Sequence, residues 1–207
     1  MKSRPAVIVL AAGLGSRFGA VGHKLSESLG HVSVLGSTLR HAIASHLPVI
    51  VVTTEALADV ARRHVASRDV IILPAVGTPG PHPLGMGYSI AAGVSARPDA
   101  PGWLVLPGDM PMVQPATLLA VARALEHHPV AYAQHKGRRG HPVGFGAELY
   151  SELATLAGDE GARRLVARYP AHGVDVDDAG VLLDVDTRDD LERLRQLQQA
   201  TVVPAQR

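Results

Sequence analysis

The sequence predicts a single-domain three-layer α/β/α sandwich on a Rossmann-like, mostly parallel mixed sheet. Short apolar runs rich in β-branched residues alternate with segments carrying apolar residues every three or four positions, over almost the whole chain. At 207 residues and 46% hydrophobic, the chain can bury one substantial core and needs no second one. An acidic residue follows the fourth apolar run at Gly108-Asp109, where open α/β sheets present groups to ligands.

Strands are expected near Ala6–Leu10, Val49–Thr53, Val70–Leu73, Trp103–Leu106, Val130–Ala133, Pro142–Phe145, Gly173–Val176 and Leu182–Val185. Helices are expected between them, over Thr38–His46, Ala56–His64, Ser89–Ala96, Pro115–His127, Ala147–Leu156, Gly161–Tyr169 and Thr187–Gln199. The stretch from Pro74 through Gly87 is rich in proline and glycine and reads as one long lid or binding loop. Residues 1–200 are read as one domain and residues 201–207 as a flexible tail.

Twenty basic and nineteen acidic residues give a net charge of +1, without the excess that binding a nucleic-acid backbone needs. The absence of cysteine removes disulfides, thiolate metal sites and cysteine nucleophiles, and agrees with a reducing, cytoplasmic setting. Lys2 and Arg4 before the apolar run Ala6–Ala12 imitate a signal peptide, but the run is short and continues into globular sequence, so export and membrane insertion are not expected. The eleven histidines show no His-Glu-x-x-His spacing and are read as surface or packing residues, His141 apart.

The first strand enters Leu10-Ala11-Ala12-Gly13-Leu14-Gly15-Ser16-Arg17-Phe18-Gly19, with Lys24 beyond it. Glycines let backbone N–H groups approach phosphate oxygens, and Arg17 with Lys24 can neutralise them; an ordinary glycine-rich β–α turn is the plainer reading. The dinucleotide fingerprint fails, because Phe18 stands where its third glycine belongs. A Walker A loop fails for want of Gly-Lys followed by Ser or Thr.

Asp109 suits magnesium, which takes one or two carboxylates together with substrate phosphates, although an Asp before Met-Pro also suits a turn. In Asp184-Val185-Asp186-Thr187, alternate residues of an extended segment share a side, so Asp184 or Asp186 can complete the site, while Asp186 or Thr187 can cap the next helix. Gly85-Met86-Gly87-Tyr88-Ser89 opens a helix whose free N–H groups favour an anion or a polar base edge. It is not a hydrolase elbow, since a proline-rich loop, and no strand, precedes the serine. Gly140-His141-Pro142-Val143 follows the basic turn Lys136-Gly137-Arg138-Arg139.

Taken together, these motifs resemble the GT-A-like nucleotidyltransferases, especially the molybdenum cofactor cytidylyltransferases, from Leu10 to Leu191. The resemblance implies that Leu10, Ala11, Ala12, Gly13, Gly15, Ser16, Arg17 and Lys24, with Gly85, Met86, Gly87 and Ser89, hold the nucleotide. It implies that Arg17, Lys24 and Asp109 act in catalysis, that Asp109 and Asp186 bind Mg2+, and that Arg139, His141 and Pro142 face the acceptor. Gly158-Asp159-Glu160-Gly161-Ala162-Arg163 also resembles a family segment that closes over the site, and otherwise reads as an acidic helix start. The chain departs from the family at Ser28, where proline is common, and at Arg188 and Asp189, where proline and glutamate are common.

The expected reaction is transfer of CMP from CTP to the phosphate of molybdopterin cofactor, releasing pyrophosphate. The expected partners are that nucleotide and cofactor, with a molybdoenzyme or its maturation chaperone downstream. Guanylyl or adenylyl transfer, another phosphorylated acceptor, and a non-catalytic cofactor carrier stay open.

Overall fold

The computed structural model describes residues 3–13, 23–74, 85–159 and 161–202, with backbone alone at 199–202. The continuous apolar run of β1 (Ala6–Ala11) fits a central strand buried on both faces. It pairs in parallel with β4 (Val49–Thr53) and β6 (Gly102–Pro107), in registers that set Val7 beside Val49 and Leu104. Outward from β4 lies β5 (Val70–Ile72). Outward from β6 lie β8 (Arg138–Gly146), β7 (Val130–His135) and β9 (Ala171–Asp175). The seven strands run in the order β5-β4-β1-β6-β8-β7-β9, and β8 is the antiparallel one.

The pleat of β1 divides the core in two. Val7, Val9 and Ala11 meet α1 (Val34–Ala44), α2 (Glu55–Arg62), α4 (Pro115–Ala124) and α7 (Arg188–Val202). Ala6 and Ile8 meet α3 (Met86–Ser95), α5 (Tyr150–Ala154) and α6 (Arg163–Arg168). The sandwich is therefore three layers deep, as expected. Among the described residues no helix is long and apolar enough to cross a membrane.

Three expectations are corrected. A small hairpin of β2 (Ser28–Leu29) and β3 (Val32–Ser33) precedes α1, which starts at Val34 because the Ser33 hydroxyl accepts the Gly36 N–H at 3.0 Å. The helix expected from Gly161 begins at Arg163, after a glycine with φ +56°. Leu182–Val185 is not a strand: Ala179–Leu182 forms a 3-10 turn, and the Val185 N–H donates to the Asp109 carbonyl at 2.9 Å.

Asp178 explains that turn. Its buried carboxylate accepts from Gly180 N at 2.9 Å, and also from Gln114 N at 2.9 Å and the Thr117 hydroxyl at 2.6 Å. One side chain thus shapes the turn and supplies the cap that Gln114 does not give to α4.

Candidate active site

All parallel strands end on one edge of the sheet, and Lys24, Asp109 and Asp186 meet there. The Gly108 N–H donates to the carbonyl of Leu10 at 2.8 Å, joining the exits of β1 and β6. A Cβ on Gly108 would lie 2.9 Å from that carbonyl oxygen, so a larger residue would push the exits apart. From α1, the Thr38 hydroxyl donates to the Gly108 carbonyl at 2.9 Å and the Ser37 hydroxyl to the Pro111 carbonyl at 3.2 Å. With the bond from Val185, the backbone around Asp109 is fixed from three sides.

Lys24 opens a 3-10 turn (Lys24–Ser26) after β1. Its Nζ donates to Asp109 Oδ2 at 2.7 Å and to Asp186 Oδ1 at 2.8 Å, bridging residues 85 and 162 positions away in the chain. The ammonium is largely shielded, with its side chain 13% exposed. Burial pulls its pKa down, but the charge and hydrogen bond of Asp109, reinforced by those of Asp186, outweigh this and hold it above the ordinary lysine value. Lys24 is therefore a permanent cation between two carboxylates.

The alternatives at Asp186 separate in the structure. Thr187 and Asp190 cap α7 reciprocally: the Asp190 carboxylate accepts from Thr187 N and from the Thr187 hydroxyl, each at 2.7 Å, and Asp190 N donates back to that hydroxyl at 3.2 Å. Those bonds lower the Asp190 pKa, the Thr187 hydroxyl contributing most. With the cap supplied by its neighbours, the Asp186 carboxylate turns to Lys24. Asp184 instead acts electrostatically on His141.

The donor set fits a hard divalent ion. Asp109 Oδ1 is buried and has no hydrogen-bond partner among the described residues, and Asp109 and Asp186 both pair with the Lys24 ammonium. Among the described residues no three His, Cys, Asp or Glu side chains converge, so further ligands would come from substrate and water.

Around this centre, Leu10 is half-buried, Ala11 and Ala12 are buried, and Gly13 is exposed at the strand exit. Gly15, Ser16 and Arg17 lie outside the described residues. Gly85 and Gly87 have a packing reason to be glycine: a Cβ at 85 would fall 2.1 Å from the Gly158 carbonyl, and one at 87 would fall 2.7 Å from Ala157 O. The N-terminus of α3 is thus pressed against the 157–159 turn, with the Gly87 N–H donating to Gly158 O at 2.9 Å. Met86 remains exposed, and the buried Ser89 hydroxyl has no hydrogen-bond partner among the described residues.

On the other side, β8 starts at the same edge after the tight turn Lys136–Gly137, where both residues have positive φ. Continuing the β6–β8 register by two residues sets His141 opposite Pro107. Burial, helped by the Arg139 charge and opposed by Asp184, drops the His141 pKa to about 4, so the imidazole is neutral near pH 7. Arg139 is exposed, its guanidinium 4.4 Å from the Tyr132 ring centre, while Pro142 is buried.

A family model of the MobA-like NTP transferase domain matches residues 7–174. The chain belongs to this family. It is 32% identical over 152 residues to the bifunctional protein GlmU of Cereibacter sphaeroides, covering 69% of this chain and 32% of that protein. The chain thus spans about a third or less of the length of the curated relatives it matches. Among solved structures, Rv0371c from Mycobacterium tuberculosis H37Rv shares 30% identity at a TM-score of 0.79, over 95% of this chain and 99% of that one. A Rv0371c structure in complex with manganese matches at 28% identity and a TM-score of 0.77, over 95% and 100%.

Sequence reading of this MobA-like chain missed one contributor. His23 Nδ1 accepts from Leu25 N at 3.2 Å, capping the turn that carries Lys24, while Nε2 lies 2.9 Å from the Gly13 carbonyl. Because Nδ1 accepts, Nε2 carries the proton and donates. One imidazole therefore ties the β1 exit to Lys24. Its position immediately before the lysine was the available signal.

Proposed function

We propose that this MobA-like nucleotidyltransferase transfers CMP from CTP to the terminal phosphate of molybdopterin cofactor, giving the cytosine dinucleotide form and pyrophosphate. The observation that carries the reading is Lys24 held between Asp109 and Asp186 at the sheet edge where the β1 loop emerges.

An oxygen of the acceptor phosphate attacks the α-phosphorus of CTP, and the bond from that phosphorus to the bridging oxygen of the β-phosphate breaks. Two phosphates carrying like charge must meet, so alignment and charge neutralisation are what the protein supplies. Asp109 and Asp186 are the residues that would hold Mg2+, which when bound offsets charge on the triphosphate. Lys24 keeps its proton throughout and sets a fixed positive charge beside the phosphates. Arg17 would add a second.

Ala12 and Gly13, at the β1 exit, offer main-chain groups to the nucleotide, with Gly15, Ser16 and the N-terminus of α3 around Ser89. The acceptor would approach from β8, where Arg139 supplies charge and neutral His141 supplies a hydrogen bond without adding charge. Pro142 walls that side.

Incubation with Mg2+, molybdopterin cofactor and each of CTP, GTP, ATP and UTP tests the proposal. Pyrophosphate and a dinucleotide product should form fastest with CTP. Preference for GTP would reassign the base, and product with none of the four would reject the acceptor.

A further inference from the structure

We infer that the cleft between α1 and α7 is a second ligand site, separate from the Lys24 centre, for a small organic anion with an apolar body. The cleft is open to solvent and measures about 1140 Å3, somewhat above the roughly 300–1,000 Å3 of typical small-molecule pockets. Its floor follows α1 from Ser37 through His41 to Ala44, its roof is the β2–β3 hairpin with Met112 and Gln114, and its far wall is Arg195 and Gln198 of α7.

The charge on this lining is of one sign. Arg40 of α1 and Arg195 of α7 carry it, and no lining residue is acidic. Asp178, whose charge reaches His41, does not line the cleft, and its oxygens already accept from Gln114, Thr117 and Gly180. Glu192 touches Arg195 at 3.4 Å from outside the lining. Arg195 in turn donates from Nε and Nη2 to the Ser28 carbonyl, at 3.1 and 2.7 Å, so the roof is tied to a cationic wall.

A ligand carrying an anionic group beside a hydrophobic body would meet Arg40 and cover Val32, Ala44 and Met112. The site also borders the catalytic segments: Ser28 follows the turn bearing Lys24, and Met112 follows Asp109 by three residues. None of this depends on which nucleotide the enzyme uses.

The test is a fluorescence titration of the full chain with 1-anilinonaphthalene-8-sulfonate, and in parallel with its uncharged counterpart N-phenyl-1-naphthylamine. Arg40→Glu reverses the charge at an exposed position, and Ala44→Trp fills the cleft without touching charge; circular dichroism and Tm show that both variants fold. Saturable binding of the sulfonate is expected, weakened about tenfold or more by each variant, as loss of one charge-assisted contact implies. The uncharged probe should bind more weakly than the sulfonate. Equal affinity for the two probes, or sulfonate binding that neither variant weakens, would overturn the site.

Discussion

At the scale of single residues, Lys24 bridges both carboxylates of the centre, and a neutral side chain of similar length isolates its charge. Lys24→Met should lower kcat by about 10²–10³-fold, the usual consequence of removing one group that stabilises developing charge. Steady-state pyrophosphate release measures it, and a variant within about tenfold of wild type would remove Lys24 from the chemistry. His23 acts through Lys24 as a positioning residue. His23→Phe loses both of its hydrogen bonds and should cost about tenfold in kcat/KM. His23→Asn keeps an acceptor for Leu25 N, since asparagine caps helical turns well, and should recover part of that loss. His141 gives a stability signature of its own. Its folded pKa of about 4 lies below the ordinary 6.5, so between these values the unfolded chain takes up a proton that the folded chain refuses. The stabilisation is complete above pH 6.5 and is lost as pH falls toward 4, by roughly 3 kcal/mol in all. Thermal melts at pH 7 and pH 4.5 should show a drop in Tm that shrinks in His141→Gln.

At the scale of elements, the caps decide where functional side chains point. Asp178→Ala strands a hydroxyl and two backbone N–H groups in a buried place, and should destabilise the fold by about 3 kcal/mol in urea unfolding. A loss below about 1 kcal/mol would show that water replaces those bonds. The elements show why sequence reading reached some features and missed others. Strands β1, β4 and β6 were legible because burial on both faces writes an uninterrupted apolar run. Leu182–Val185 reads the same way, yet folds as a turn and an extended stretch because Asp178 and the Asp109 carbonyl claim its backbone. That competition comes from residues far away in sequence. The β2–β3 hairpin was missed because two-residue strands carry no period. Lys24, Asp109 and Asp186 were each singled out in the sequence from motif and position, whereas it required the structure to see that Thr187 and Asp190 close the cap between them and leave the Asp186 carboxylate to pair with Lys24.

For the whole molecule, the proposed function couples metal, nucleotide and stability. Lys24, Asp109 and Asp186 join the β1 exit, the β6 exit and the start of α7, so a ligand bound among them ties three distant parts of the chain and favours the folded state by mass action. At a concentration of Mg2+ and CTP about 100 times the dissociation constant, that stabilisation is about 2.7 kcal/mol. For a chain of this size it corresponds to a rise in Tm of about 5–10 °C. The double variant Asp109→Asn, Asp186→Asn removes both carboxylate charges while keeping the shape and much of the hydrogen bonding of each side chain. It should fold, yet show no such rise, and wild type with CTP plus a chelator should show little. Ala44→Trp, in the α1–α7 cleft, should retain the full shift. Scanning calorimetry across these samples separates a metal-dependent nucleotide site from general nucleotide adhesion: equal shifts with and without the chelator, or in the double variant, would place the nucleotide away from Asp109 and Asp186.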